Sequence, residues 1–476
     1  MDPSLISATE LVQLIQERQL SAAEVLESVL ARYERHNPAV NAVILTRIVE
    51  ARRQAKAVDE ALATGEPVGA LHGVPMTIKE SFDWVDTPTT LGIPALTHNN
   101  PKKNAVAVDQ LLGAGAVIYG KTNVPMHLAD SQSFNDIYGT TNNPWALDRT
   151  PGGSSGGSAA AIATSMATLE LGSDQAGSGR NPAHYCGVFS HKPTYGLVSL
   201  TGHGQPGTFA APDIMVATPL ARTAADLDLA MQVLAPNEWA IAGAGPLDKR
   251  ELSDYRAAIM LESPYISQDP VLTERFNAAV ATLVKAGLSV EHDAIPDIDL
   301  GRVLEVHLLL LRAATGAPKS DYAVARFPEE VARYDAGARD RRALEAKGAM
   351  LSHREWYALH NEREKERLGW AAFFKDYDVL LCPTSWSAAY PHNHADDRFD
   401  TTERIDNPTR NERYFWPLLP AGVYLPSTVV PVGLTASGLP CGLQVVAPHG
   451  RDGIGIAFAK LMEKALGGYA RPPMLA

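Results

Sequence analysis

Cysteine is scarce in this sequence, and the few cysteines that occur lie far apart. The 476 residues contain three of them, Cys186, Cys382 and Cys441. An odd number of widely spaced cysteines is neither a disulfide framework nor a zinc-binding pattern. We therefore expect three buried thiols that behave as small hydrophobic side chains, in a protein of a reducing compartment and with no metal site.

Positive charge and long apolar runs are also lacking. Lysine and arginine together number 42 against 54 aspartates and glutamates, which leaves a formal net charge of -12. A binder of the phosphate backbone needs a basic surface, and a membrane span needs ~18–20 apolar residues. The N-terminus carries no basic segment followed by an apolar one. We expect a cytoplasmic protein that binds neither nucleic acid nor membrane, with monomer or homodimer left open.

What the sequence does contain is an alternation of helical and strand patterns. Ser7 and Ser21 each precede a glutamate by three residues, which is the capping-box signature of a helix start. Short apolar segments predict strands at 74–79 and 116–119, and helical patterns occur at 106–114, 158–168 and 339–374. The alternation predicts an α/β fold with a substantial sheet. Because no repeat or linker interrupts the chain, one domain over 1–476 is the most economical division.

The first of two Gly/Ser-rich segments, residues 151–158, matches the Gly-x-Ser-x-Gly nucleophile elbow with Ser155 at its centre. It is not a phosphate-binding loop, because no Gly-Lys-Ser/Thr follows. An elbow follows a buried strand, whereas the polar, proline-containing residues 142–150 make a poor one. An α/β-hydrolase-like serine esterase is therefore an alternative and not the preferred interpretation.

The second segment, residues 172–180, offers another nucleophile. Small residues let the backbone approach a ligand closely, and successive backbone amides form the anion-binding nest that an oxyanion hole requires. Ser178 ends this nest. None of the 14 histidines has a recognisable catalytic context, so the candidate base is Lys79, which ends an apolar strand where desolvation should lower its pKa.

Together these motifs resemble the amidase signature family. The matching segments follow one another along the chain: Gly-Val-Pro-x-x-x-Lys at 73–79, Gly-Lys-Thr-Asn at 120–123, Gly-Gly-Ser-Ser-Gly-Gly at 152–157, Asp-x-x-Gly-Ser-x-Arg at 174–180, Lys-Pro-Thr-x-Gly at 192–196 and Gly-Leu-Pro-x-Gly-Leu-Gln at 438–444. The resemblance implies the amidase signature fold, in which helices cover both faces of one large mixed central sheet. Its core motifs span 71–227, and a variable substrate-pocket region spans about 236–425.

The resemblance also implies roles for individual residues. The catalytic ones are the nucleophile Ser178, the base Lys79 and the bridging serine Ser154, which should follow a cis peptide bond after Gly153. The oxyanion hole would consist of the backbone amides of Gln175, Ala176, Gly177 and Ser178. The supporting residues would be Ser155, Asp174 and Arg180, and one pocket wall would contain Leu128, Ala129 and Asp130. No metal or organic cofactor is implied.

This chain departs from the family pattern at two positions. Ala176 stands where the family usually has glycine, and Gln175 stands where it has a small or apolar residue. The methyl group of Ala176 would narrow the acyl side of the pocket or pack against the protein, and the Gln175 side chain is long enough to reach the site. Neither change removes a catalytic group.

The activity implied is the hydrolysis of small-molecule carboxamides, with anilides, carbamates (urethanes) and esters also open. Within the family, the alternative is an A-type amidotransferase component that releases ammonia from glutamine in a complex. Residues 203–213 do not resemble the serine-rich stretch of that subgroup, which favours a stand-alone amidase. An inactive scaffold is the third possibility, but it would have lost a member of the triad, and all three are present.

Overall fold

The computed structural model describes residues 2–66, 68–237, 239, 251–316, 325–334, 341–395 and 412–475. The strands within these ranges are β1 (Val43–Thr46), β2 (Pro75–Lys79), β3 (Val117–Thr122), β4 (Phe134–Asn135), β5 (Gly139–Thr140), β6 (Leu169–Asp174), β7 (Phe189–Lys192), β8 (Val216–Ala221), β9 (Arg256–Ile259), β10 (Ser289–His292), β11 (Val379–Pro383), β12 (Ser427–Leu434) and β13 (Pro440–Val446). The helices are α1 (Ala8–Gln16), α2 (Ala22–Val40), α3 (Ile48–Thr64), α4 (Val106–Gly113), α5 (Gly156–Ala163), α6 (Arg180–Cys186), α7 (Ala224–Leu234), α8 (Pro270–Lys285), α9 (Leu300–Gly316), α10 (Phe327–Val331), α11 (Arg341–Ala349), α12 (His353–Phe373), α13 (Phe415–Ala421) and α14 (Asp452–Leu466).

Eleven of the strands form one sheet in the order β1-β3-β2-β6-β8-β7-β12-β13-β11-β9-β10, and β4 and β5 pair separately. Strand β2 runs parallel to both of its neighbours, β3 and β6. The next strands along the sheet, β8 and β7, are antiparallel to their neighbours. The sheet is therefore mixed, as the family resemblance implied.

Apolar side chains alternate between the two faces of the sheet, because successive residues of a strand point in opposite directions. On β3, Val117 and Tyr119 pack with residues of α2, α3 and α5, whereas Ile118 packs on the opposite face with residues of α4, α7, α8 and α14. Helices therefore cover both faces, and the predicted α/β architecture is confirmed.

The predicted helix starts agree with the structure. The Ser21 side chain accepts a hydrogen bond from the Glu24 amide while the Glu24 carboxylate binds the backbone of Ser21, and Ser7 caps α1 through the Glu10 amide. Each bond satisfies an amide that the first helical turn leaves without a partner.

Two predicted helices differ from the observed ones. Helix α5 begins at Gly156 and ends at Ala163, five residues before the predicted end, because Ser165 adopts a left-handed φ of 57° that a helix cannot continue through. The charged region predicted to be helical over 339–374 consists of two helices, α11 and α12, since Ser352 forms a capping box with Glu355 and starts a new helix. Residues 339 and 340 lie outside the described residues.

Candidate active site

Lys79 ends the buried strand β2, and its side chain is fully buried. Its Nζ lies 2.7 Å from Ser154 Oγ, 2.9 Å from Ser155 Oγ and 2.9 Å from Ser173 Oγ. The structure therefore brings the predicted base together with two predicted serines and with a third serine that the sequence did not single out.

The surroundings of Lys79 favour the neutral amine. Burial lowers the pKa of Lys79 from 10.5 to about 7, although the carboxylates of Asp174, Glu170 and Glu80 act in the opposite direction. Burial also raises the pKa of Glu170 to about 7, which weakens the negative charge near the amine at neutral pH. An ammonium without water is costly, so this lysine exchanges its proton near neutral pH.

The peptide bond between Gly153 and Ser154 is cis, as the resemblance implied. The next residue, Ser155, connects the two Gly/Ser-rich segments. Its hydroxyl donates to the carbonyl oxygen of Ser173 over 3.0 Å, and its amide donates to the carbonyl oxygen of Ser178 over 2.9 Å. Ser155 thus holds the bridging serine beside the turn that carries Ser178, which is a supporting position.

The strand-turn-helix arrangement that the elbow interpretation requires occurs around Ser178 and not around Ser155. Strand β6 ends at Asp174, a turn carries Ser178, and α6 begins at Arg180. The described residues before Ser155 form turns and bends and no strand between 141 and 155. The elbow interpretation at Ser155 is therefore wrong.

A buried ion pair shapes the turn from 174 to 180. The Asp174 carboxylate accepts hydrogen bonds from the amides of Gly177, Gly179 and Arg180 at 2.8–3.1 Å and from the Arg180 guanidinium at 2.9 Å. Both side chains are fully buried. Burial alone raises the pKa of Asp174, but Arg180 and the amides outweigh it and hold the pKa below its ordinary value. The carboxylate therefore stays ionised and fixes the backbone of the turn.

The same geometry corrects the predicted set of oxyanion donors. Since the Gly177 amide already donates to Asp174 Oδ1 over 2.8 Å, it is not free to bind an oxyanion. Gln175, Ala176 and Ser178 are the other three predicted donors. Gly177 has a φ of 101°, and Ala176 has no positive φ. The backbone conformation therefore requires glycine at position 177 but not at position 176. This explains how the chain can have alanine at position 176.

The side chains of the two unusual residues point toward the protein. Gln175 Nε2 donates to the carbonyl oxygen of Asp213 over 2.9 Å. Asp213 in turn accepts from Tyr424 Oη at 2.8 Å and from the buried Arg363 at 2.7 Å. Ala176 packs beside an apolar cluster that includes Ile214. The Gln175 side chain therefore connects the turn to residue 213.

Residues 203–213 are attached to the site at both ends. His203 Nε2 lies 3.0 Å from Ser173 Oγ, and Asp213 binds Gln175 as described above. Between these ends the chain is exposed, and Phe209 reaches 90% exposure. Residues 203–213 distinguished a stand-alone amidase from an amidotransferase component in the sequence. In the structure, one end of this segment contacts Ser173 beside the lysine, and the other end contacts Gln175 in the turn.

The predicted pocket wall lies beside the cis peptide bond. A Cβ atom at Gly153 would come within 2.5 Å of the carbonyl oxygens of Asp130 and Gln132, so glycine lets this segment pack against the residue before Ser154. Ala129 is exposed, and Leu128 and Asp130 are half-buried. Contact of Leu128, Ala129 and Asp130 with substrate stays a prediction.

Sequence reasoning missed Ser173, which contacts Lys79, and also His203 and Ser81, which are hydrogen-bonded in turn behind Ser173. A signal for Ser173 exists, because the carboxyl ends of parallel strands meet at one edge of a sheet. Ile78 pairs with Leu171, so Lys79, one residue after Ile78, and Ser173, two residues after Leu171, lie at the same edge of the sheet. His203 offers no such signal, since it lies 30 residues from Ser173 in a loop.

In the part of the chain that the structure describes, no cluster of three or more His, Cys, Asp or Glu side chains is suited to hold a metal ion. Among the described helices, none combines the length and the apolar character that crossing a bilayer requires.

Comparisons with known proteins identify the family. The family model described as Amidase matches residues 24–454. The chain is 30% identical to the A-type component of a glutamyl-tRNA(Gln) amidotransferase of Gloeothece citriformis, over 99% of this chain and 100% of that protein. It is 31% identical to an indoleacetamide hydrolase of Bradyrhizobium diazoefficiens, over 97% of this chain and 86% of that protein. The crystal structure of a bacterial aryl acylamidase has the same fold, with a TM-score of 0.79, 24% identity and coverage of 97% of this chain and 96% of that one. The chain therefore belongs to the amidase signature family and is a hydrolase that acts on carbon–nitrogen bonds.

Proposed function

We propose that this protein is a stand-alone amidase that hydrolyses small-molecule carboxamides through an acyl-enzyme on Ser178. The observation that carries the proposal is the fully buried Lys79 amine, which lies 2.7 Å from Ser154 Oγ. Burial lowers its pKa to about 7, so a neutral amine is available to accept a proton. A serine-lysine pair of this kind replaces the histidine of the better-known serine hydrolases.

The reaction would proceed in two steps. Neutral Lys79 takes a proton from Ser154, Ser154 takes one from Ser178, and Ser178 Oγ attacks the carbonyl carbon. The same relay returns a proton to the leaving nitrogen as the carbon–nitrogen bond breaks, which is the demanding part of amide cleavage. Water then attacks the acyl-enzyme, releases the carboxylic acid and restores Ser178.

The negative charge that develops on the carbonyl oxygen would be stabilised by backbone amides of the turn. The candidate donors are the amides of Gln175, Ala176 and Ser178, since Gly177 donates to Asp174. Asp174 and Arg180 hold these amides in place before substrate binds. Donors fixed in this way stabilise the transition state without reorganising during the reaction.

Amidotransferase activity on glutamine is the alternative, and the 30% identity to an amidotransferase component favours it. Residues 203–213 favour a stand-alone enzyme, because they do not resemble the serine-rich stretch of that subgroup. Hydrolysis by the isolated chain, compared for glutamine, aliphatic amides, anilides, carbamates and esters by kcat/KM, separates the two. Preference for glutamine, with a stable protein partner in a pull-down, would support the amidotransferase.

The assignment of the nucleophile is tested by Ser178→Ala with Ser155→Ala as its matched control. Both serines belong to the Gly/Ser-rich segments of the site, but Ser155 donates its hydroxyl hydrogen to a backbone carbonyl and supports the site. We expect Ser178→Ala to lose nearly all amide hydrolysis with the fold retained by circular dichroism, and Ser155→Ala to lose much less. An active Ser178→Ala enzyme would contradict the proposal.

A further inference from the structure

A buried histidine lies behind the lysine and takes no part in the proposed relay. His203 Nε2 lies 3.0 Å from Ser173 Oγ and 3.0 Å from Ser81 Oγ. The imidazole packs against the Phe82 ring at a centroid distance of 4.6 Å, and the residue is 7% exposed. Since Ser173 Oγ also contacts Lys79 Nζ at 2.9 Å, a single hydroxyl separates the imidazole from the amine.

The proposed relay determines which neighbours of Lys79 donate a hydrogen bond to the amine and which accept one from it. A neutral amine has two N–H groups and one lone pair, and each serine hydroxyl has one hydrogen. Ser155 donates its hydrogen to the Ser173 carbonyl oxygen over 3.0 Å, so toward Lys79 it can only accept. The relay requires the lone pair to face Ser154. The second N–H must then be donated to Ser173.

Ser173 therefore needs another acceptor for its own hydrogen. Among the described groups, its Oγ makes hydrogen bonds with Lys79 Nζ and His203 Nε2. Burial and the nearby Lys79 lower the pKa of His203 to about 3, so the imidazole is neutral and has one protonated and one bare nitrogen. If Nδ1 carries the hydrogen, the single lone pair of Nε2 accepts from Ser173 when Ser81, which also lies 3.0 Å from Nε2, directs its hydrogen elsewhere.

The other tautomer would have the opposite effect. With the hydrogen on Nε2, Ser173 has no acceptor at the imidazole and turns its hydrogen toward the lone pair of Lys79, where it competes with Ser154. His203 Nδ1 makes no hydrogen bond to a described residue, so the choice of tautomer depends on the hydroxyls at Nε2.

We infer that His203 is a positioning residue that, acting through Ser173, keeps the lone pair of Lys79 directed at Ser154. The inference rests on the proposed function, because it assumes that Lys79 is the base. It assigns a role in the reaction to a residue outside the serine-serine-lysine triad.

The first experiment measures kcat and KM for one amide in three variants. His203→Phe fills the space but removes the acceptor, whereas His203→Gln retains a side-chain carbonyl oxygen. His184→Phe is the matched control, since His184 is also buried but bonds backbone groups of Gly442 and Ser387. We expect kcat of His203→Phe to fall ~10-fold to ~100-fold, a part of the ~10²–10⁴-fold that proton transfer contributes. KM should stay within about twofold of wild type, His203→Gln should recover most of kcat, and His184→Phe should keep it.

The second experiment determines the tautomer in the wild-type protein and uses a variant only to assign the signal. Nitrogen NMR of histidine-labelled wild-type protein, assigned by the signal lost in His203→Gln, reports which ring nitrogen carries the hydrogen. We expect a protonated Nδ1 and a bare Nε2. A protonated Nε2, an unchanged kcat in His203→Phe, or equal losses of kcat in His203→Phe and His203→Gln would each overturn the inference.

Failure of the proposed function gives a different result. Lys79→Arg and Ser178→Ala are measured on the same substrate. If either retains wild-type kcat, the relay itself is wrong, and the role of His203 falls with it. If both are inactive while His203→Phe retains wild-type kcat, the relay stands and only the role of His203 is overturned.

Discussion

Two lysines of this protein share the same degree of burial but have different neighbours. Lys79 at the end of β2 and Lys192 at the end of β7 are both fully buried, and burial lowers the pKa of each to about 7. Lys79 Nζ faces three serine hydroxyls, whereas Lys192 Nζ donates to the carbonyl oxygen of Pro193 over 2.8 Å. A hydroxyl can pass on a proton and a carbonyl cannot. A lowered pKa therefore makes a lysine able to lose its proton, and its neighbours decide whether the proton has a route to substrate.

The largest expected effect concerns activity at the two positions. Lys79→Arg and Lys79→Ala should both lose at least ~10³-fold in kcat/KM for an amide, within the range of general acid–base catalysis, because arginine remains charged and cannot act as a base. Lys192→Met should lose less than ~10-fold, since its amine donates to a carbonyl that cannot relay a proton. Steady-state kinetics of the purified variants test this. Similar losses of kcat/KM at both positions would contradict the conclusion that the neighbours of a lysine decide whether it acts as the base.

Ester substrates sharpen the same comparison. The leaving oxygen of an aryl ester departs without a proton, whereas the leaving nitrogen of an amide needs one. Lys79→Arg should therefore lose less activity on an aryl ester than on the amide with the same acyl group. The ratio of the two kcat/KM values measures this, and an unchanged ratio would indicate that Lys79 acts before the leaving group departs.

The pH dependence of the rate should report on Lys79 and not on Lys192. Because the base must be neutral, kcat/KM for an amide should fall about tenfold per pH unit below a pKa of about 7. Above that pH it should level off. Lys192→Met should keep this profile, which assays between pH 5 and pH 9 in a constant-ionic-strength buffer would reveal. If the inflection disappears in Lys192→Met, the base is Lys192 and not Lys79.

Stability, in contrast, should respond to pH in the same way at both positions. Each lysine has a folded-state pKa of about 7 against an ordinary 10.5, so between these values the unfolded chain binds more protons than the folded one. The unfolding free energy of the wild type should therefore rise with pH in this window, by up to ~1.4 kcal/mol per pH unit for each lysine. Lys79→Met and Lys192→Met should each remove such a contribution, and their stability relative to wild type should be greater at pH 7 than at pH 9. Urea unfolding at both pH values tests this, and equal differences would contradict the burial assignment.

The smallest expected effect concerns the turn beside the lysine. Ala176→Gly restores the usual family residue and removes one methyl group, which lies beside an apolar cluster. A single methyl group in a pocket changes the discrimination between two substrates by ~1–3 kcal/mol. Because the Ala176 methyl group packs partly against the protein, we expect its effect to be near the lower end of this range. We expect a shift in preference toward bulkier acyl groups, measured as kcat/KM over an acyl series. An unchanged ranking would mean that the methyl group only packs.

The sequence predicted the part of the site that is encoded in contiguous segments. Lys79, Ser154 and Ser155 come together as expected, and the cis bond follows Gly153. The four-donor oxyanion hole was overestimated, because the direction of the Gly177 amide depends on Asp174 and not on local composition. His203 was missed because its partners Ser173 and Ser81 lie 30 and 122 residues away, and only the folded sheet brings the three together.

For the fold as well, the sequence predicted local features and not contacts between distant segments. Capping signals located the starts of α1 and α2 because they act within four residues. The helical region predicted over 339–374 was not divided into α11 and α12, although Ser352 and Glu355 carry the same signal, since charged residues continue a helical pattern on both sides of it. The order of the strands depends on contacts between distant segments, which the local pattern does not encode.

The attachment of residues 203–213 has a consequence for protein engineering. One end of this exposed loop is hydrogen-bonded to Ser173 beside the lysine, and the other is bonded to Gln175 in the turn. A loop exchanged with that of a relative would therefore not be an independent replacement, because it would have to supply a side-chain partner for Ser173 and place the backbone carbonyl of residue 213 within reach of Gln175. Grafts that vary only residues 204–212 preserve both attachments, because they keep the His203 imidazole and the backbone carbonyl of Asp213 in place.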